Sequence, residues 1–223
     1  MIATSVRPGS SIGRDIPRAE AEYSVHAFVD LSNIWYSLLE AAPSHDEGGL
    51  PVRLSAENLA LVLRAGRTRY RQLAVANADV PAPVIDHFGK VGEVIRRESG
   101  RRTGKEQAND ETLQVRMYET IFNNPSGVLV LATGDGAGWR ERRGFIPALD
   151  AARRLKWGVE VIAWGGSTNR ALHDWATRVG ASFVDLDDHY FSVSFVESGR
   201  RAQSVSLRHR PTSEPIVRSR AVR

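Results

Sequence analysis

The stretch Val25-His26-Ala27-Phe28-Val29-Asp30-Leu31-Ser32-Asn33 decides how the rest of the chain is read. Its apolar run, Val25–Val29, predicts a buried strand that stops at Asp30, with Ser32 and Asn33 close behind. A carboxylate at the carboxyl end of an interior strand is costly to bury unless something pairs with it. In open α/β sheets that edge is also where ligands bind. Asp30 has a plainer reading as well, as the N-cap of a helix starting near Ser32.

Working outward, strand and helix patterns alternate. A helix is expected over Ile34–Ala41, with Ile34, Leu38 and Leu39 turned to the core. Pro43–Pro51 has the composition of a loop. Ser55 reads as an N-cap of a helix stopped at Gly66. Arg71–Asp79 predicts a second strand, Ala82–Val91 a short helix and Glu93–Arg97 a third strand. Leu113, Met117 and Ile121 fall four apart, the spacing of one buried helix face, within Asp110–Phe122. Val128–Thr133 is the clearest strand and runs into Gly134-Asp135-Gly136-Ala137-Gly138. A helix over Phe145–Leu155, a strand over Val159–Ala163, a helix over Asn169–Val179 and a strand over Ser182–Leu186 follow. Phe191–Val196 reads as a further strand. Such alternation predicts a mostly parallel sheet with helices on both faces. Right-handed crossovers then bring every strand's carboxyl end to one edge. Asp30, Asp79 and Asp135 belong on that edge, with Asp110 brought near by a loop.

Composition sets outer bounds. The 223 residues suit one sizeable domain with tails, 42% hydrophobic and 25% charged. We expect a disordered segment over 1–22, a folded domain over 23–197 and a basic disordered tail over 198–223. That tail holds seven Arg and one Glu, leaving residues 1–197 at −2 although the whole chain is +4. Basicity concentrated in this way is suited to phosphates. If the tail fastens to phosphate, truncation at Ser198 should lower the salt dependence of binding. No run of about 18 apolar residues predicts a membrane span, and no apolar signal core opens the chain, so the cytoplasm is the expected location. With no cysteine, thiolate metal sites and cysteine nucleophiles are excluded. The six histidines lack zinc-protease spacing. No G-x-S-x-G elbow occurs, and Ser99 stands where a P-loop ending at Gly104-Lys105 needs glycine. The turn Gly134–Gly138 lacks the third glycine of a dinucleotide fingerprint, because Trp139 replaces it. Carboxylates meeting at a sheet edge point instead to Mg²⁺, which takes oxygen ligands, retains water and engages phosphate.

F-V-D-L-S-N (Phe28–Asn33), G-K-E-Q-A-N-D-E-T-L (Gly104–Leu113), L-A-T-G-D-G (Leu131–Gly136) and the closing G-V-E-V-I-A-W … S-F-V-D-L-D-D together resemble the NYN domains, PIN-like ribonucleases. The likeness spans roughly Val25–Asp188, in order. It implies a PIN-like (Rossmann-like) α/β fold and metal-dependent hydrolysis of RNA, with Mg²⁺ or Mn²⁺. It implies Asp30, Asp110 and Asp135 as metal ligands, with Asn33 orienting ligand or substrate. Two departures stand out. The fourth acidic position of the family is Ala137 here, for which Glu141 is a distant substitute, and Gly136–Phe145 contains an insertion. Trp139, Arg140, Arg142 and Arg143 in that insertion offer a stacking and phosphate-binding surface, joined by Ser32 and Lys105 as substrate contacts. Asp185, Asp187 and Asp188 read as caps or solvated residues. The expected partner is RNA, with no membrane and with a homodimer left open. The rival readings are a catalytically inactive RNA- or protein-binding module on the same fold, a nucleotide-cofactor protein and a DNA nuclease.

Overall fold

The computed structural model describes residues 23–97, 107–136, 144–196 and 210–216. Six strands form one parallel sheet: β1 (Val25–Asp30), β3 (Tyr70–Asn77), β4 (Glu93–Arg97), β5 (Val128–Ala132), β6 (Gly158–Ala163) and β7 (Ser182–Asp185). Their order is β4-β3-β1-β5-β6-β7, with β1 central and paired in register to β3 and β5. β2 (Val52–Leu54) pairs antiparallel with β8 (Ser194–Val196) as a separate two-stranded ribbon. The expected strand over Phe191–Val196 is therefore half replaced, because Tyr190–Val193 turns as a short helix, α7.

Alternation along each strand divides the interior in two. Val25, Ala27 and Val29 pack on one side, with α1 (Leu31–Ala41), α2 (Ala56–Arg64) and α3 (Ala82–Val91). Phe28, Leu129 and Leu131 pack on the other, with α4 (Gln107–Asn123), α5 (Ile146–Arg154) and α6 (Arg170–Val179). A sheet covered on both faces needs apolar residues at every position of its central strands, which V-L-V-L-A supplies. Leu113, Met117 and Ile121 are all buried as the helical spacing predicts. Leu39, expected in the core, faces outward on α1. Ser55 caps α2 by accepting from Asn58 N. The result is a Rossmann-like α/β architecture. Among the described residues no helix is long and apolar enough to cross a membrane.

One part of the expected tail is packed, which corrects the reading that order ends at Ser198. Arg210 is 4% exposed. Its guanidinium donates to the carbonyls of Val62 and Leu63 at the end of α2 and to Glu160 Oε2 at 2.8 Å. Arg67 reaches the same carboxylate with bonds of 2.7 and 2.9 Å. Ser213 N donates to Glu160 Oε1, Ser213 Oγ to Val159 O, and Ile216 N to Lys156 O. Gly158 is required here, because a Cβ would lie 2.6 Å from the Glu214 carbonyl.

Candidate functional site

Because the strands are parallel, Asp30, Asn77, Thr133 and Asp185 all lie at the carboxyl edge. Asp30 is buried and caps α1, its Oδ1 accepting from Asn33 N at 3.1 Å. Its Oδ2 accepts from Thr133 Oγ1 at 3.4 Å. Thr133 Oγ1 in turn accepts from Asp135 N at 3.1 Å. Asn33 Oδ1 accepts from Gly134 N at 2.7 Å, pinning the first helix to the turn after β5. Ser32 Oγ accepts from Asn77 N at 3.0 Å and from Asn109 Nδ2 at 3.3 Å, tying α1 to β3 and to the first turn of α4. Asn109 of α4 thus bonds Ser32 in the first turn of α1. Asp110, half-buried, is the neighbour of Asn109 in α4.

These bonds give the edge side chains structural partners. The glycine turn is used in the same way. A Cβ on Gly134 would meet the Ser167 carbonyl at 3.0 Å, and one on Gly136 would meet the Asn169 side chain at 3.0 Å. Asn169 N also donates to Gly134 O at 2.7 Å. The small residues admit a neighbouring loop.

The expected metal centre is corrected accordingly. Among the described residues no group of three or more His, Cys, Asp or Glu side chains is placed to hold a metal ion. Asp30, Asp110 and Asp135 therefore do not form the Mg²⁺ or Mn²⁺ ligand set expected of them. The metal-dependent ribonuclease activity, with Asn33 as its catalytic orienter, falls with that set. The plainer reading of Asp30 as a helix cap holds. Lys105, Trp139, Arg140, Arg142 and Arg143 lie outside the described residues, as do Ala137 and Glu141.

A second cluster sits at the ends of β6 and β7. Gly165 N donates to Asp185 Oδ1 at 2.9 Å and to Asp187 Oδ2 at 3.1 Å, and Asp187 N donates to Asp185 Oδ1. Asp187 Oδ1 also meets His45 Nε2 at 3.0 Å, and the His45 ring stacks on buried Tyr190. Burial, reinforced by the neighbouring Asp187 carboxylate, raises the Asp185 carboxyl above its ordinary value, while the two backbone amides pull it back. A carboxyl raised on folding binds protons more tightly in the native state. Its ionisation therefore costs stability, a cost that develops as pH rises through the unfolded value and is complete above the folded one. Asp185→Asn keeps an acceptor for both amides. It is expected to raise the melting temperature at neutral pH, with the gain vanishing below about pH 4. Thermal unfolding across that range checks it, and a gain independent of pH would contradict it.

No protein-family model matches the chain, and no curated protein or solved structure is significantly similar to it.

Proposed function

We propose that the chain is a non-catalytic RNA-binding module on a Rossmann-like scaffold of the PIN and NYN kind. The observation that carries this reading is the pairing of the strand-end side chains with one another. Asp30 with Asn33 and Thr133, Ser32 with Asn77 and Asn109, and Asn33 with Gly134 tie this edge together, and among the described residues there is no ligand set for hydrolysis. The order of motifs that resembles the NYN domains supports RNA as the ligand. The excess of Arg in the last 26 residues supplies the phosphate affinity, which carries no sequence preference.

The test is one incubation of a 5′-labelled single-stranded RNA with the full chain, with Mg²⁺, with Mn²⁺ or with EDTA. We expect binding that weakens as salt rises, RNA of unchanged length in all three, and the same affinity for Asp135→Asn. Shortened RNA in the metal lanes alone would overturn the reading, and so would a failure to bind RNA at low salt.

A further inference from the structure

We propose that the RNA-binding surface is the amino edge of the sheet, opposite the polar edge described above, and that it takes the phosphate backbone without base preference. This rests on the RNA-binding reading. In a parallel sheet every strand starts on this edge, and the helices that return the chain end there. Arg64 closes α2, Arg154 closes α5 and Arg178 lies in the last turn of α6. Arg69 precedes β3, with its carbonyl bonded to Val25 N, and Arg71 is the second residue of that strand. Lys156 stands just before β6. All six side chains are exposed.

Three of the acidic residues at the same edge are engaged by buried or neighbouring guanidiniums, and Glu214 is exposed there. Glu93 and Glu119 both bind Arg116. Glu160 is fully buried between two guanidiniums. The described part of the carboxyl edge is richer in acid, with Asp79, Asp110, Asp135, Asp185, Asp187 and Asp188 against Arg96, Arg97 and Arg170. The fold therefore separates charge along the strand direction, a field that draws a polyanion to one end.

Basic residues at helix C-termini also favour the helix dipole, which accounts for Arg64, Arg154 and Arg178 one at a time. It does not account for Arg69, Arg71 and Lys156, which lie outside helices. The packed C-terminal segment reaches the same edge. Its last described residue, Ile216, is held to the Lys156 carbonyl.

The experiment measures affinity for a single-stranded RNA by fluorescence anisotropy over a salt series, using the full chain. One variant combines Arg69→Gln, Lys156→Gln and Arg178→Gln. A second alters the other edge, with Arg96→Gln, Arg97→Gln and Arg170→Gln. Circular dichroism and the unfolding midpoint establish that each is folded. Each single-strand phosphate contact contributes about 0.7 to the slope of log affinity against log salt. The amino-edge variant is expected to lower that slope by about 2, and the carboxyl-edge variant to leave it unchanged. If only the carboxyl-edge variant lowers the slope, the location is overturned while RNA binding stands. If the unaltered chain binds no RNA but binds phosphatidylserine vesicles through the amino edge, both readings fall.

Discussion

Replacing Glu160 by alanine is expected to remove about 3–5 kcal/mol of folding stability, the cost of leaving a buried ion pair without one partner. Glu160 is fully buried and holds three partners: Arg67, Arg210 and the amide of Ser213. Without it, two guanidiniums that cannot deprotonate stay in a site with little water. Both also serve the end of α2. Arg67 donates to the Leu63 and Arg64 carbonyls, and Arg210 to those of Val62 and Leu63. A chain of this size shifts by roughly 2–4 °C per kcal/mol, so the melting temperature should fall on the order of 10 °C. Glu160→Gln keeps the shape and acceptor oxygen and is expected to fall between alanine and the unaltered chain. Urea unfolding with an unchanged m-value checks both. A loss below about 1 kcal/mol for the alanine variant would mean that the cluster is an ordinary surface pair.

Removal of residues 199–223 is the second large effect. The deletion takes away Arg210, Ser213 and Ile216, and with them the contacts to the end of α2 and the amino end of β6. Hydrogen bonds to charged groups contribute about 1.5–3 kcal/mol each when lost from one side, so a loss of roughly 3 kcal/mol or more is expected. Arg210→Ala in the full chain should reproduce most of it, and deletion of residues 217–223 alone should cost little. The unfolding midpoints of the three variants decide the matter. Equal stability of the deleted and full chains would contradict the packing of this segment.

Much of the fold is legible in the residues. V-L-V-L-A has no reading other than a doubly buried strand, and the four-residue spacing of Leu113, Met117 and Ile121 fixes which side of α4 faces inward. Ser55 and Asn169 act as caps because a short polar side chain before an apolar helix has few other uses. Asp30 shows where sequence stops being decisive. A carboxylate after a strand serves equally as helix cap or ion ligand, and only the positions of Asn33 and Thr133 separate the two. The three-residue β2 is too short to carry a period, so no strand is expected over Val52–Leu54.

Arg210 illustrates a different limit. An Arg-rich, Pro-containing segment has the composition of a tail, and the residue that docks it lies 50 positions earlier. A signal was present all the same: Glu160 interrupts the apolar strand G-V-E-V-I-A, and a carboxylate at such a position requires a buried cation. The same logic, applied to Asp30 and Asp135, suggested a metal. The difference is that a backbone amide and a hydroxyl bond Asp30, and the turn carrying Asp135 is held by Thr133 and Asn33.

The central claim is that the carboxyl-edge acids pin the strand ends together and do not share a cation. A calorimetric titration of the full chain with Mn²⁺ tests this most directly, repeated with Asp30→Asn and Asp135→Asn. The account predicts no saturable binding at millimolar metal for any of the three. A saturable heat in the unaltered chain that either substitution abolishes would contradict it.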